Sequence, residues 1–247
     1  MIVLGVDTSG RTLSVAVARG GQLLGEYSLA LGYRHSVTFQ PAVDELLSRC
    51  DLTVRDVGLF AVAAGPGSFT GIRIGLAAVQ AMAYAAGAQA VGVSSLRALA
   101  RSSRGGKCLT APLVDARGGR VFSTLYRGSR QLIEEGPRKI GDLLMEIAAV
   151  VGQNEKVLVT GDGIFVWEEA LARDPGLAGR LPFEMDYASS AFRCIRASAV
   201  IELALEDLAG GVAVTDPFRL EARYGIDSSA ERARHQRGSG ENEVEAT

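Results

Sequence analysis

A glycine-rich loop is the part of this sequence with the clearest chemical potential. Residues 65–71, Gly-Pro-Gly-Ser-Phe-Thr-Gly, separate a continuous apolar run, 58–64, from an alanine-rich helical segment, 72–86. Glycines allow the backbone to turn tightly, and proline stiffens that turn. Ser68 or Thr70 can cap the following helix, whose free amide N–H groups could receive an anion. The residues leave two interpretations open, a tight strand-to-helix turn and an anion-binding loop.

Two aspartates close apolar strands in the same local context. Asp7 is followed by Thr-Ser-Gly, and Asp115 is followed by Ala-Arg-Gly. Each could cap its own turn by accepting a hydrogen bond from a nearby backbone amide. Each could instead hold a magnesium ion or position a water at a phosphate group. The sequence alone leaves both roles open.

Other hydrolytic chemistries lack the residues that they require. His35 and His235 have no second ligand at helical spacing, which argues against a zinc hydrolase. No Gly-x-Ser-x-Gly elbow supports a serine hydrolase or peptidase, and no Gly-Lys-Ser/Thr follows the glycines as in a Walker phosphate loop. A ribonuclease-H-type nuclease needs clustered carboxylates, whereas Asp44 and Glu45 lie on the polar face of a predicted helix.

The composition is that of a globular protein with room for a large core. The chain has 247 residues, 47% of them hydrophobic and 22% charged, and a formal net charge of −2. This charge gives no general attraction to nucleic acid, so any RNA contact would be local or lie on a partner. Cys50, Cys108 and Cys194 lack metal-site spacing and are expected to be reduced. Because Met1–Asp7 shows no signal-peptide pattern and no apolar run approaches the roughly 20 residues of a membrane span, we expect a cytoplasmic protein.

The predicted elements repeat once along the chain. In chain order, the first unit has a strand at 2–8, a hairpin of strands at 13–18 and 22–29, and a helix at 35–50. A strand at 58–64, a helix at 72–86, a strand at 89–93 and a short helix at 94–99 follow. The second unit has a strand at 113–115, a hairpin of strands at 121–126 and 130–135, and a helix at 140–151. A strand at 156–160 and a helix at 164–173 follow, and then a further helix at 198–209 and an extended closing segment at 216–220. Each unit predicts a mixed sheet flanked by helices, and the two units predict an α/β protein with two lobes and a ligand cleft between them.

This duplicated arrangement resembles the actin, hexokinase and heat-shock-protein ATPase superfamily, whose lobes have a ribonuclease-H-like fold. We expect lobe one at 1–104 and lobe two at 105–227, with the last segment able to return to lobe one. The polar residues 101–106 are the hinge candidate. Residues 228–247 are small, polar and of mixed charge, which predicts a disordered tail.

Several motifs together resemble those of the TsaB (YeaZ) family, which acts with TsaD in threonylcarbamoyladenosine synthesis on tRNA. The matching segments are 6–9, 65–73, 92–96, 114–117 and 161–163. They cover the chain from Met1 to about Leu220, and the long glycine motif is highly specific. The closing segment departs from the family, since Pro-Phe-Arg-Leu at 217–220 stands where the family usually has Pro-x-Tyr-Leu-Arg.

The resemblance implies a subunit without catalytic residues. TsaD, a paralogue once grouped with the M22 peptidases, carries a metal-binding His-x-x-x-His motif after Gly-Val-Asn. Aligning Gly-Val-Ser at 92–94 with that segment puts Ser95 and Leu99 at the histidine positions, and neither can replace imidazole. The family role is to bind and activate TsaD, with the ATPase TsaE. The modified adenosine lies next to the anticodon in tRNAs that read codons starting with adenine.

The resemblance also implies the contacts of the chain. The lobe-one helices would dock on TsaD, and the same face would form a homodimer when the chain is alone; tRNA would be reached through the complex, without a membrane. The predicted interface residues are His35, Phe39, Val43, Arg73, Ala77, Ala78 and Ala81. The predicted residues of a vestigial nucleotide cleft are Asp7, Ser9, Gly67, Asp115, Gly161 and Gly163. No cofactor and no metal would be required, although ATP or ADP with Mg could bind weakly at the cleft or the partner interface.

Within this family the glycine loop is best interpreted as the turn that sets the partner-binding helix against its sheet. The alternative function is a free-standing ATPase or small-metabolite kinase of the same superfamily that uses Asp7 and Asp115. A kinase would also need a base and larger insertions in one lobe, which this compact chain lacks.

Overall fold

The computed structural model describes residues 1–32, 34–104, 108–177, 181–212 and 216–225. The tail predicted at 228–247 and the end of the hinge candidate lie outside these residues. The lobe boundaries stay predictions, but the elements on either side of them are well defined.

The first sheet has five strands in the order β3-β2-β1-β4-β5. They are β1 (Ile2–Asp7), β2 (Leu13–Arg19), β3 (Gln22–Leu29), β4 (Leu59–Ala63) and β5 (Gln89–Val93). Strand β1 pairs antiparallel with β2 and parallel with β4. The hairpin between β2 and β3 turns at Gly20 and Gly21, whose φ angles of 57° and 84° favour glycine. Strands β1, β2 and β4 are buried on both faces, which explains their continuous apolar runs.

Helices α1 (His35–Arg49) and α2 (Phe69–Ala86) pack against this sheet, and α3 (Ser95–Arg104) follows its last strand. The Ser68 hydroxyl caps α2 by accepting a hydrogen bond from Gly71 N at 3.2 Å, which confirms Ser68 as the cap. Helix α2 ends at Gly87, whose left-handed conformation terminates the helix. Helix α3 was predicted to end at Leu99 but continues to Arg104. The hinge candidate is therefore helical over 101–104.

The second sheet repeats the topology of the first, with the order β10-β9-β6-β7-β8. Its strands are β6 (Leu109–Arg117), β7 (Arg120–Arg127), β8 (Arg130–Lys139), β9 (Lys156–Thr160) and β10 (Glu184–Tyr187). The shared order confirms the predicted duplication and the two-lobed α/β fold class. Strand β10 was not predicted from the sequence because it is a short edge strand with alternating acidic residues.

Helices α4 (Ile140–Val150) and α5 (Ile164–Arg173) accompany the second sheet, whereas α6 (Ala197–Ala209) packs on the first. This corrects the assignment of that helix to lobe two. Its packing is close, since a Cβ at Gly5 would lie 2.5 Å from Ala197 O. The carboxylate of Glu26 on β3 accepts hydrogen bonds from Ser198 N and Oγ, each at 2.8 Å, at the start of α6. The carboxylate of Glu26 on β3 thus anchors α6 to the first sheet, although chain order alone assigned this helix to lobe two.

The predicted extended closing segment contains a turn of 3₁₀ helix at Pro217–Arg219. Asp216 caps this turn by accepting a hydrogen bond from Phe218 N at 3.0 Å. Proline at the first position of the turn favours helical backbone angles, which the sequence interpretation did not weigh.

Three apolar clusters form the core of the described residues. One lies between the first sheet and helices α1 and α2, and another between the second sheet and helices α4 and α5. The third lies on the other face of the first sheet with α3 and α6, and it includes Val114 and Phe122 from the second sheet. The two lobes are therefore joined by a common core.

Helix α2 has the length and apolar composition of a membrane span, which differs from the expectation that no apolar run approaches such a span. In the fold its buried side packs against β4 and β5, with Ile72, Leu76, Val79 and Met82 in the core. This is the packing of a core helix.

Candidate functional site

The two aspartates cap their own turns. Asp7 is buried at the end of β1, and its Oδ1 accepts hydrogen bonds from Ser9 N at 2.9 Å and Ser9 Oγ at 2.6 Å. The Oδ1 of Asp115 accepts a hydrogen bond from Arg117 N at 2.8 Å, which is the same two-residue spacing. The structural role left open by the sequence is thus observed in both lobes.

The glycine loop packs directly on the turn that follows β1. Added Cβ atoms at Gly67 and Gly71 would lie 2.5 Å from Ser9 O and 2.1 Å from Thr8 O. The loop and turn are also hydrogen-bonded, because Ser68 N donates to Ser9 O at 2.7 Å and Thr8 Oγ1 donates to Gly71 O at 2.7 Å. Glycine is required here so that two backbones can approach each other.

Several backbone N–H groups of the loop already donate hydrogen bonds within the protein. Gly65 N donates to Ser95 Oγ at 3.1 Å, Gly71 N to Ser68 Oγ at 3.2 Å and Ser68 N to the neighbouring turn. An anion-binding loop needs such N–H groups to face a ligand. The geometry favours a strand-to-helix turn that supports α2.

The glycine turn of lobe two is built in the same way. Gly161 has a φ angle of 105°, close to the 110° of Gly65, and its Cβ would lie 2.1 Å from Leu113 O. Gly163 N donates a hydrogen bond to the same Leu113 O at 3.0 Å. Between them, Asp162 accepts a hydrogen bond from Asp115 N at 3.2 Å. These glycines serve close packing against β6.

Two neighbouring cavities of about 60 and 230 Å³ lie in the cleft between the lobes. Asp7 and Ser9 line the smaller cavity, and Ser9, Gly67 and Asp115 line the larger one. Gly161 and Gly163 line neither. Small-molecule sites usually have volumes of about 300 to 1,000 Å³. Each of these two cavities taken alone is smaller than this range.

The cleft carries charged groups that the sequence interpretation did not single out. Asp162 lines both cavities, while Arg11 and Arg193 line the smaller one. Burial raises the pKa of Asp7 to about 6, and the nearby Asp162 contributes to the increase. Burial also raises the pKa of Asp162, which Arg11 partly offsets. Asp162 lies in the Gly-Asp-Gly motif, which could have indicated it, whereas no motif in the sequence indicates Arg11 or Arg193.

Replacing Asp7 by asparagine is expected to stabilise the protein at pH 7 and to have little effect at pH 4. The pKa of Asp7 is raised from 3.8 to about 6, so folding favours its protonated form, and its contribution to stability falls as pH rises through this interval. The shift corresponds to at most about 3 kcal/mol at neutral pH. Urea unfolding of both proteins at the two pH values measures the difference. An equal difference at both pH values would contradict the expectation.

The predicted partner-binding residues divide into buried and exposed sets. Phe39 and Val43 are buried in the core against the first sheet, so the interface prediction is wrong for these two residues. His35 is also buried, and its ring is fixed by a hydrogen bond of 2.8 Å between Nε2 and Gly10 O. It lines a cavity together with Ser68 and Thr70 of the glycine loop.

The residues predicted on α2 lie on its outer side. Arg73, Ala77 and Ala81 are exposed at four-residue spacing, and Ala78 is half-buried beside them. Val37 on α1 is 62% exposed and Tyr84 on α2 is 69% exposed. This surface, Arg73, Ala77, Ala78 and Ala81, is called the α2 face below. Its small side chains allow another helix to approach closely.

The C-terminal segment runs beside the α2 face. The Arg73 guanidinium lies 3.9 Å from the centre of the Phe69 ring and donates a hydrogen bond of 2.9 Å to Tyr224 Oη. Farther along, the rings of Tyr84 and Phe218 are 5.2 Å apart. The sequence interpretation missed these contacts because they join residues far apart in the chain.

The positions aligned with the histidines of TsaD have structural roles. Ser95 is buried and its Oγ accepts the hydrogen bond from Gly65 N, while Leu99 belongs to the core shared by the lobes. Across the described residues, no group of three or more His, Cys, Asp or Glu side chains could hold a metal ion.

Comparison with known proteins identifies related sequences and folds. A family model described as "TsaD: tRNA N6-adenosine threonylcarbamoyltransferase" matches residues 31–179. The "tRNA threonylcarbamoyladenosine biosynthesis protein TsaB" of Bacillus subtilis is 39% identical over 135 residues, which are 55% of this chain and 59% of that protein. The Escherichia coli protein of the same name is 29% identical over 184 residues, covering 73% of this chain and 79% of that protein. The chain thus matches little more than half the length of the Bacillus relative.

A solved structure of YeaZ from Pseudomonas aeruginosa has the same fold. It is 23% identical with a TM-score of 0.70, covering 90% of this chain and 99% of that one. A second solved structure, described as a protein with similarity to peptidase YEAZ from Pseudomonas aeruginosa, has a TM-score of 0.73 at 24% identity and covers 91% of this chain and 99% of that one.

Proposed function

Because the chain belongs to the TsaB (YeaZ) family of TsaD-like proteins, we propose that it is a non-catalytic subunit in tRNA threonylcarbamoyladenosine biosynthesis. In this role it binds and activates a TsaD paralogue in the cytoplasm, with the ATPase TsaE as a further partner. Contact with tRNA is made through the assembly. Alone, the chain pairs with a second copy through the same surface.

The observation that carries this proposal is the use of Ser95 and Leu99 for packing. A metal-dependent transferase needs ligands at the positions aligned with its histidines. Here one side chain holds the glycine loop and the other fills the core. Ser95 thereby supports the loop at the base of α2, the helix that we assign to partner binding.

The α2 face supports the assignment of the partner-binding surface. Its alanines are exposed on a helix whose other side is fully packed, and the face carries a single charged residue, Arg73. Arg73 is held against Phe69 and Tyr224, so its position is set before a partner arrives. A rigid surface with small residues suits helix-on-helix docking and costs little ordering entropy.

Co-purification with the TsaD paralogue, followed by a tRNA modification assay with TsaE, tests the proposal. We expect one complex in size-exclusion chromatography and modification of tRNA only when this chain is present. The chain alone should neither modify tRNA nor hydrolyse ATP. Normal modification in its absence, or failure to form a complex with or without nucleotide, would contradict the proposal.

The cleft favours one alternative, a free-standing ATPase or small-metabolite kinase. Asp7 is buried and Asp162 is partly buried, and burial raises the pKa of both carboxyl groups, a feature common at catalytic sites. We assign no cofactor requirement to the chain. ATP hydrolysis by the purified chain that is lost in Asp7→Asn would favour the alternative. Weak ATP or ADP binding without turnover would agree with a vestigial site.

A further inference from the structure

Helix α3 lies between the lobes and is tied to lobe two near both ends. It packs against β6, β7 and β9 of the second sheet and against α6. Before its first turn, Ser94 Oγ donates a hydrogen bond of 2.5 Å to Glu135 on β8. Near its last turn, Ser103 Oγ donates a hydrogen bond of 2.8 Å to Thr160 Oγ1 on β9. The polar contacts at the two ends of α3 supplement the apolar core that the lobes share.

Glu135 is the charged group in these contacts. Its Oε1 accepts the hydrogen bond from Ser94 and a second one, of 2.9 Å, from Tyr126 Oη. Both donors are buried, with 5% and 4% of their surfaces exposed. Burial, followed by the neighbouring Glu135, raises the pKa of Tyr126, so the phenol remains a donor. Hydrogen bonds to a carboxylate are about twice as strong as neutral ones, and burial limits screening.

A short path of hydrogen bonds connects Glu135 to the glycine loop. Ser94 Oγ, which donates to Glu135, also accepts a hydrogen bond from Arg97 N at 3.2 Å and so caps α3. The next residue, Ser95, accepts from Gly65 N at 3.1 Å and donates its own N–H to Gly65 O at 2.8 Å. The start of α3 is thus held by lobe two on one side and holds the loop on the other.

We propose that Glu135 is a positioning residue, which holds lobe two against the start of α3 and thereby sets the glycine loop at the base of α2. When Glu135 loses its carboxylate, Ser94 still caps α3, but the hydrogen bond between the lobes is lost. The contact at Ser103 remains, so the lobes would separate first at the Glu135 end. This role concerns the isolated chain and does not depend on the proposed function.

Hydrogen exchange of the full chain tests this role with the substitution Glu135→Ala. We expect exchange of the amides in segments 64–72 and 94–98 to become about tenfold faster, because a part-buried hydrogen bond to a carboxylate is lost. Rates are compared with those of β1, whose amides report global unfolding. The expected result is faster exchange in the two segments with the rate in β1 raised much less.

Three further variants distinguish a contact that positions the lobes from one that only supports the hairpin of β7 and β8. Tyr126→Phe removes the hydrogen bonds of the phenol with Glu135 and Ser94 but keeps the bond between Ser94 and Glu135, so it should leave exchange in 64–72 within about twofold of wild type. Glu135→Gln keeps a carbonyl acceptor for both hydroxyls and should restore most of the protection. Ser94→Ala removes both the contact between the lobes and the cap on α3, so it should accelerate the same segments at least as much as Glu135→Ala. If Glu135→Ala fails to fold, Glu135→Leu, which also lacks an acceptor, takes its place in the comparison with Glu135→Gln.

Two results would overturn the proposal. One is faster exchange confined to β7 and β8 in Glu135→Ala, which would make Glu135 a support for that hairpin alone. The other is equal acceleration of 64–72 in Tyr126→Phe and Glu135→Ala, which would show that the contact between the lobes contributes nothing specific.

Discussion

Replacing Ala81 by glutamate is expected to weaken association with the TsaD paralogue by about a hundredfold or more. Ala81 is exposed at the C-terminal end of the α2 face, so the new side chain has room in the free protein. In a docked helix pair the same carboxylate would lose water without gaining a partner, which costs several kcal/mol. Each 1.4 kcal/mol corresponds to a tenfold change in affinity. The dissociation constant of the complex, measured by calorimetry, checks this expectation.

The control substitution is Ala172→Glu, on an exposed position of α5 in lobe two. It adds the same charge to a helix away from the α2 face and should leave affinity unchanged. Both variants should unfold at the wild-type temperature. Ala78→Glu is a weaker test because Ala78 is half-buried and its replacement also strains the core. Unchanged affinity in folded Ala81→Glu would place the interface elsewhere.

Replacing Gly71 by alanine is expected to cost about 3 kcal/mol of unfolding free energy, at the upper end for an overpacked core. The added Cβ would lie 2.1 Å from Thr8 O, a backbone atom in the buried turn after β1. That atom cannot move without disturbing the hydrogen bonds between the turn and the loop. For a chain of this size the loss corresponds to a fall in Tm of roughly 6 to 12 °C. Calorimetry or thermal circular dichroism measures it.

Gly10 offers a matched control for this substitution. It follows the same turn, but an added Cβ would meet nothing within 4 Å, and its φ angle is not in the left-handed region. Gly10→Ala should therefore change stability by less than about 1 kcal/mol. A similar loss in both variants would mean that the turn, and not the contact between loop and turn, is sensitive. A folded Gly71→Ala protein should also bind its partner less well, because the base of α2 has moved.

The element order and the fold class were predictable because they depend on local patterns. The glycine pair at 20–21 specified the first hairpin, and the continuous apolar runs marked the strands that are buried on both faces. The repeated order of strands and helices then specified two sheets of the same topology. Strand β10 and the true length of α3 were missed, since an edge strand and a polar helix end carry weak local signals.

The interface prediction shows where local patterns stop being informative. Helix α1 has apolar residues on both sides, with Phe39 and Val43 on one and Val37 on the other. Periodicity identifies an amphipathic helix, but it does not state which apolar residues face the sheet. Burial of Phe39 and Val43 follows from packing against β2, which is set by the tertiary fold.

By itself, the sequence determined the family, the duplicated sheets and the loop at which α2 begins, because each depends on residues close together in the chain. Only the tertiary structure decided what the glycine loop does. Its glycines fit against the backbone of Thr8 and Ser9, and its amides are bound by groups such as Ser95, about 30 residues away. The same is true of α6 and Glu135, whose partners lie on distant strands. Close approach between remote segments depends on global packing, which no local pattern encodes.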